Sequence, residues 1–538
     1  MSSCSNSRKK RIVIIGGGVA GLAGALALKR AADEGRPIEW VLIEKEHRLG
    51  GKILTERMGE FIIDGGPDCF LSEKPWVAQT AARLGISDRL LPTNDSRKRT
   101  FIYSEGRFHE LPDGIMMMVP TKIMPFLTTS LFSWPGKIRM GMDLVIPKKA
   151  GEDDETLASF VRRRLGQECL EKLAEPMVAG VHASDPESMS LRATFPRFLQ
   201  MEQKYGSLIR AFLAARRNAP KPPPSPPGSP QRTYFMTFRG GMQELTDAMA
   251  DAAGRDQLLT GRKVARVESL RQSASGMATG QGARYVVHVE GGYPLEADAV
   301  IVSAEAYRAA GLLDGLDPAL AQLLRTIPWT SAATLSLAFR HDQINHSLAG
   351  FGFLVPSREK RKIMASTWSS TKWIGRAPDG HVLIRVFVGG PHNQSLVELD
   401  DAEMIRVARE ELQATMGIIA EPEFARVYRW VRGMPQYTLG HLDRLEAIEQ
   451  RLANHPGLYL CGASYRGIGT GDCIHSAEQA VAQALRFLED GAGTASYQRN
   501  QGTEEHDLRD ETGTNPKERQ GREGSSETPL GSLTSRPQ

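Results

Sequence analysis

Hydrophobic positions open this chain as a short unbroken run, Ile12-Val13-Ile14-Ile15, which stops at three glycines and resumes as an Ala/Leu-rich stretch over 19–28. Four apolar residues in succession predict a short apolar strand. The stretch after the glycines predicts a helix closed by Lys29 and Arg30. A second run, Trp40-Val41-Leu42-Ile43, repeats the strand and ends on Glu44. Similar runs return at Val300-Ile301-Val302, introduced by Asp298, and at Leu458-Tyr459-Leu460, so strands distant in sequence are expected to rejoin one sheet. Val264 to Val267 alternates like a further strand, and Phe238-Arg239-Gly240-Gly241 opens a helix. Leu157, Phe160, Val161 and Leu165 have helical spacing, with the triplet Arg162-Arg163-Arg164 expected on a solvated face. Over 112–147 the pattern breaks into apolar pieces separated by Pro120, Pro125 and Pro135. Such pieces can join a core, line an apolar cavity, or rest on a bilayer with Lys122, Lys137 and Arg139 at the headgroups; core is the favoured reading.

The glycines between the first strand and helix read Gly16-Gly17-Gly18-Val19-Ala20-Gly21. In a strand, GxGxxG turn, helix and second strand ending in an acid, Gly16 permits the turn, Gly18 lets backbone N–H groups approach a pyrophosphate, and Gly21 allows helix and strand to close. Glu44 then accepts from a ribose. Two more glycine turns follow, Arg48-Leu49-Gly50-Gly51-Lys52 and Asp64-Gly65-Gly66-Pro67-Asp68, and Arg48 and Lys52 have the charge to neutralise phosphate. A late Gly467-Ile468-Gly469-Thr470-Gly471-Asp472 precedes a helix whose positive end suits a reduced flavin ring. Turns beyond the first fit an extended FAD better than a bare NAD.

A length of 538 residues predicts two or three packed domains. A hydrophobic fraction of 41% and a charged fraction of 24% are those of a soluble globular protein, and a net charge of +4 gives no nucleic-acid signature. The five cysteines, Cys4, Cys69, Cys169, Cys461 and Cys473, lack CxxC spacing, which argues for a reducing compartment and against a disulfide frame or zinc site. No nucleophile, triad or metal cluster stands out. Arg8-Lys9-Lys10-Arg11 before an apolar run imitates a secretory signal, but that run is the first strand, so a cytoplasmic protein is expected. No apolar run reaches the roughly 18 residues of a membrane span. The proline-rich 219–231 is expected to be a surface loop, and the polar 491–538 a disordered tail.

With those residues in view, the chain resembles the oxygen-dependent porphyrinogen oxidases of haem synthesis, within the FAD-dependent amine oxidase superfamily. The resemblance rests on GGGVAGLAGA, RLGGK, GGPDCFL, EPMVAGVHASDPESMSLRATFP, FRGGMQEL, GFGFLVP, MPQYTLGHL and GASYRGIGTGDCI, and covers nearly everything from Arg11 to about Leu488. The 112–147 region is most similar to the bacterial branch that acts on coproporphyrinogen III. The resemblance implies an α/β (α+β) fold: a Rossmann-like FAD-binding domain interleaved with a mixed-sheet substrate domain and a helical domain. The expected division is FAD-binding over 10–91, 233–307 and 425–490, a helical cavity domain over 94–218, and a substrate domain over 308–424. FAD-binding positions carried over are Gly16 to Gly21, Glu44, Lys45, Lys52, Gly66, Pro67, Asp68, Cys69, Val264, Trp430, Ile468, Gly469 and Thr470.

Gly180 matches a glycine that faces the porphyrinogen, and Phe351 and Leu354 are candidate macrocycle contacts. Where some relatives place a propionate-pairing arginine before an F-x-Y strand, this chain has Thr100 after Lys98 and Arg99, so Arg99 is a candidate anchor and an exposed surface charge is an equal alternative. His182 is a candidate proton acceptor, with a structural role favoured; Asp68 and Asp472 read as turn and cap residues. The implied activity is six-electron oxidation of coproporphyrinogen III in three cycles, with non-covalent FAD, oxygen as acceptor and hydrogen peroxide released. The implied partners are the porphyrinogen, oxygen and a ferrochelatase receiving the product. Protoporphyrinogen IX as substrate, an amine oxidase or carotenoid desaturase, and a non-catalytic flavin or haem-precursor carrier stay open, as do oligomeric state and peripheral contact with the inner face of a membrane.

Overall fold

The first strand, Lys10–Ile15, sits in the middle of a five-stranded parallel sheet. Its neighbours are Ile38–Ile43 on one side and Ala299–Val302 on the other, with Leu258–Leu259 and Leu458–Leu460 at the edges. The unbroken apolar run is explained by cover on both faces. Ile12 and Ile14 pack under the helices Val19–Asp33, Gln243–Ala253 and Thr470–Glu489. Val13 and Ile15 face a second core shared with Val300, Val302, the three-stranded antiparallel layer over 264–297 and the helices Ala306–Leu313, Pro318–Arg325 and His441–Leu452. Buried Asp298 accepts from the Arg11 N–H at 2.8 Å and pairs with Arg8 at 2.9 Å, fixing where Ala299–Val302 enters beside Lys10–Ile15. The rejoining of remote strands expected from the apolar runs is thus present.

A larger sheet has seven strands in the order Phe424–Pro435, Trp329–Arg340, His381–Gly389, Ile363–Trp368, Gly352–Leu354, Thr100–Ser104, Arg107–Glu110. All neighbours are antiparallel except Gly352–Leu354 with Thr100–Ser104. Leu335, Leu337, Phe353, Ile384 and Val386 turn one face onto the helix Asp401–Met416. The other face looks toward the glycine turns described below.

A helical layer around Phe160, Leu173 and Phe198 packs against Ile102 and Leu354 of that sheet. Here the arginine triplet departs from expectation. Only Arg162 lies on the exposed side; Arg163 pairs with Glu155 and Glu202, and Arg164 is fully buried, held by Asp143, Glu202 and the carbonyls of Ile146 and Gly206. Successive helix positions differ by about 100°, so three adjacent cations cannot share one face. The 112–147 segment divides: Val119, Phe126, Leu131, Phe132 and Met140 are buried, whereas Ile123, Met124, Trp134, Ile138 and Val145 are each more than 60% exposed.

The computed structural model describes residues 8–490 apart from 117, 121, 152, 219–232 and 271–283, and these fall in one compact unit. The expected 219–231 loop and 491–538 tail lie outside the described residues. No helix among the described residues is long and apolar enough to cross a membrane.

Candidate active site

Four backbone turns converge beside the parallel sheet. In the first, Gly16 adopts φ +111°, and a Cβ on Gly21 would stand 1.8 Å from the Gly16 carbonyl oxygen, so both positions require glycine. Gly18 is different. A Cβ there would meet nothing nearer than the Gly51 Cα at 3.9 Å, which leaves open space above a helix start with no side-chain cap. The first-turn N–H groups of Val19–Asp33 have no intrahelical acceptor, so the helix offers donors to an anion there. Glu44, buried at the end of its strand, accepts from the Gly17 N–H at 2.6 Å and the Glu46 N–H at 2.8 Å. Each oxygen keeps a lone pair for a ribose hydroxyl. Lys45 is exposed and pairs with Glu46. Val264 begins its strand two residues after Arg262, whose N–H donates to the Glu44 carbonyl at 2.9 Å.

The second turn lies directly on the first. The Gly50 N–H donates to the Gly17 carbonyl at 2.8 Å, and a Cβ on Gly51 would be 3.0 Å from the Gly18 Cα. Arg48, expected at a phosphate, instead donates to the carbonyls of Leu49, Gly51 and Ile53, and therefore ties the turn together. Lys52 pairs with Glu305 at 3.0 Å.

The third turn continues the line. A Cβ on Gly66 would stand 1.8 Å from the Lys52 carbonyl oxygen and 3.6 Å from the Trp430 ring, so the turn is wedged between backbone and indole. The Gly65 carbonyl accepts from Trp430 Nε1 at 3.0 Å and Thr334 Oγ1 at 2.8 Å, and the buried Arg385 donates to the Gly66 carbonyl. Pro67 is exposed. Asp68 accepts from Lys372 at 2.9 Å and from Trp373 Nε1 at 3.0 Å. Burial alone would raise its pKa, but the charges of Lys372 and Arg385 outweigh it and hold the carboxyl well below the usual range. Asp68 is therefore a charged anchor of the turn. Cys69 is pushed up to about 12, chiefly by burial and then by the Asp68 charge.

The fourth turn, Ile468 to Thr470, begins the helix Thr470–Glu489. Asp472 acts as its cap, accepting from the Gly469 N–H at 3.0 Å and from Lys74 at 2.6 Å. Gly462 stands close enough to Ala20 (3.6 Å from its would-be Cβ) to bring this region against the first glycine helix.

One row of the seven-stranded sheet connects the third turn to Gly180. Strand register aligns Ile102, Leu354, Ala365, Phe387, Thr334 and Tyr428 across five strand pairs. Because Thr334 and Arg385 reach the Gly65-Gly66 carbonyls, this is the face that looks at the turn. At its far end Gly180, on the helix Glu175–His182, packs so closely that a Cβ would stand 2.8 Å from Leu354 Cδ2. Half-buried Phe387 lies between, its ring 4.8 Å from the Arg385 guanidinium. Sequence reading missed Phe387 and Arg385. The signal was there: in His381–Gly389 the alternation puts Arg385, Phe387 and Gly389 opposite Ile384, Val386 and Val388.

Phe351 lies outside this row, half-buried, its N–H donating to the Arg99 carbonyl at 2.7 Å. The Arg99 side chain is exposed and pairs with Glu110 at 3.6 Å. His182 meets Phe195 edge-on at 5.7 Å, and burial, then Lys74, push it down to about 4. It is neutral near pH 7 and a weak base, which fits the structural role.

The contact line from Gly18 through Gly51, Lys52 and Gly66 to Trp430 runs from a helix start with unpaired N–H donors to an aromatic wall, so these residues fit a flavin dinucleotide. Comparison with known proteins agrees. The model of the flavin containing amine oxidoreductase family matches residues 19–485. The chain is 36% identical over 482 residues to coproporphyrinogen III oxidase of Bacillus subtilis (strain 168), covering 89% of this chain and 99% of that protein. It is 32% identical over 502 residues to coproporphyrinogen III oxidase of Propionibacterium freudenreichii subsp. freudenreichii, covering 88% and 91%. The crystal structure of a putative protoporphyrinogen oxidase from Exiguobacterium sp. 255-15 superposes with a TM-score of 0.76 at 30% identity, covering 90% of this chain and 100% of that one. Family match, near-complete coverage and the glycine cradle lead to one conclusion: this chain belongs to the flavin-containing amine oxidoreductase family and is a flavin-dependent oxidoreductase.

Proposed function

We propose that this chain oxidises coproporphyrinogen III to coproporphyrin III, with non-covalent FAD and with oxygen as terminal acceptor. Three two-electron steps remove six hydrogens and give three molecules of hydrogen peroxide. The observation that carries this reading is the row from the Gly66 turn through Phe387 and Leu354 to Gly180. It places Phe387 and Leu354 in one row that ends against a glycine, apolar side chains suited to a tetrapyrrole face, and relatives similar over nearly their whole length are coproporphyrinogen III oxidases.

Bound FAD would supply the two-electron acceptor and the route to oxygen. The remaining work is positional. The N–H groups at the start of Val19–Asp33 would hold the pyrophosphate, Glu44 a ribose, and the backbone near Val264 the adenine side. Gly66 to Cys69, Trp430 and Ile468 to Thr470 would border the ring, with Lys52 alongside. Gly180, Leu354 and Phe387 would orient the macrocycle and exclude water. Electron-rich pyrroles flank each saturated meso carbon, so that carbon needs no protein nucleophile. Burial keeps Cys69 a protonated thiol, a poor nucleophile, which supports non-covalent cofactor binding.

A second reading, protoporphyrinogen IX as substrate, is favoured by the structural likeness to the Exiguobacterium protein. Porphyrin fluorescence followed with the yellow holoenzyme and each porphyrinogen, in air and under nitrogen, separates the two. Faster oxygen-dependent growth with coproporphyrinogen III is expected. Rates no higher than the enzyme-free control with both would sink both readings.

For localisation, we infer that the chain rests peripherally on an anionic membrane surface through Ile123, Met124, Trp134, Ile138 and Val145. All are highly exposed; of the two acids of 112–147, Asp143 is fully buried and exposed Asp113 pairs with Lys122 at 3.7 Å.

A further inference from the structure

Beside Gly180 lies a cleft of about 350 Å³ that the glycine cradle does not explain. Its walls come from both partners of the Gly180–Leu354 contact. Glu175 and Ala179 stand on the same helix as Gly180, and the chain after Leu354 continues through Pro356 and Ser357 to Lys360 and Arg361. His392 closes the rim. Pockets that take drug-sized ligands run from roughly 300 to 1,000 Å³. This one is at the small end, so it admits an edge of a tetrapyrrole rather than the whole macrocycle.

Its charge is lopsided. Arg361 is engaged by Glu411 at 2.8 Å, whereas exposed Lys360 has no ion-pair partner among the described residues. Lys360 is also held at φ +52°, uncommon for a side chain other than glycine, at the end of the turn Ser357–Glu359. Glu175 is the acid facing the cleft. It accepts from the Ser357 N–H at 3.0 Å and lies 3.8 Å from His392. Burial first, and the Asp185 charge after it, raise Glu175 to about 7, against the pull of the Ser357 N–H. Near neutral pH a large share of Glu175 therefore keeps its proton, so it can donate to a carboxylate instead of repelling it.

We infer that this cleft is a carboxylate-recognising subsite, resting on the proposed porphyrinogen oxidation, in which Lys360 and His392 receive propionates on the macrocycle edge where protoporphyrinogen IX carries vinyls. Ala179 and the chain beyond Leu354 supply the apolar floor. Lys360 and His392 are specificity residues: they act on which edge is seated and leave the oxidation itself untouched.

The test compares KM and kcat of wild-type holoenzyme, Lys360→Gln, Lys360→Arg and His392→Gln on coproporphyrinogen III and protoporphyrinogen IX. Lys360 and His392 are surface side chains, so the variants are expected to fold and keep their flavin spectrum. Loss of one charge-assisted hydrogen bond corresponds to about a tenfold rise in KM. The expected result is that rise for coproporphyrinogen III with Lys360→Gln, a smaller one with His392→Gln, recovery with Lys360→Arg, unchanged kcat, and little effect on protoporphyrinogen IX. Equal changes on both substrates, or a coproporphyrinogen KM within twofold of wild type for every variant, overturn the inference. Failure of the underlying reading shows separately, as a wild-type enzyme that oxidises neither porphyrinogen.

Discussion

Gly66 and Gly18 show how two glycines in one cradle carry different burdens. A methyl on Gly66 would stand 1.8 Å from the Lys52 carbonyl, a backbone atom that cannot swing aside. Gly66→Ala is expected to displace the third turn, lower the unfolding midpoint and strip flavin from the purified protein. Gly18 has φ −72° and room for a methyl, so Gly18→Ala should leave the unfolding midpoint almost unchanged while reducing flavin per protein, because the added carbon occupies the space over the helix start. Visible flavin absorbance against protein concentration, beside denaturant unfolding of both apoproteins, checks the contrast. Equal unfolding midpoints for the two variants would contradict it. The need for glycine at Gly16 and Gly21 was legible from sequence, since turn, helix start and strand are local. Phe387 was not singled out, because its importance depends on which strands stand beside His381–Gly389. Nor was the fate of Arg48, whose donors go to the carbonyls of Leu49, Gly51 and Ile53 because the fold of that turn aims them back at it, which the residue types alone do not state.

At the scale of elements, Asp317 joins two helices. It caps Pro318–Arg325 by accepting from the Leu320 N–H at 3.0 Å, and its carboxylate is gripped by Arg451 at 2.7 Å and His455 at 2.9 Å, at the far end of His441–Leu452. Burial opposes its charge, but Arg451, the Leu320 N–H and His455 together bring its pKa down to about 2. A depressed carboxylate stabilises the fold above its unfolded pKa, near 3.8, and that contribution is lost as pH falls through about 2. Asp317→Ala should cost about 3 kcal/mol at neutral pH, about 1 from the cap and the rest from the charged bonds. Urea unfolding at pH near 7 and near 2 reads it: the wild-type advantage should be large at the first and nearly gone at the second. An equal gap at both would refute the assignment. The same lesson applies to Arg162, Arg163 and Arg164. A helix was legible in Leu157, Phe160 and Val161, but the triplet reads as solvated until Asp143 and Glu202 arrive from elsewhere in the fold to bury Arg164.

For the whole molecule, the exposed apolar side chains of 123–145 are gathered in one segment. If they meet anionic lipid, the wild-type protein should float with vesicles containing phosphatidylglycerol and less with neutral phosphatidylcholine. Trp134→Ser with Ile138→Ser should abolish most of that binding without altering porphyrinogen turnover in detergent-free solution. Flotation of the double variant equal to wild type would dismiss this face as the contact.

What the sequence by itself determined lies within short stretches: the apolar first strand, the GxGxxG turn, the acid at Glu44, the second and third glycine turns and the cap at Asp472. Each depends on backbone geometry and neighbours a few residues away, and composition and periodicity report those directly. Tertiary structure decided the rest. It set Gly51 against Gly18 and Gly66 against Lys52, chose Phe387 and Leu354 rather than Phe351 for the row that ends at Gly180, buried Arg164, and left Lys360 exposed at the rim of a cleft with no ion-pair partner among the described residues. Those outcomes depend on the register between strands and on charges brought together over tens to hundreds of residues. No local pattern encodes such pairings, because a side chain's burial and its partner are properties of the packed sheet and helices, not of the segment that carries it.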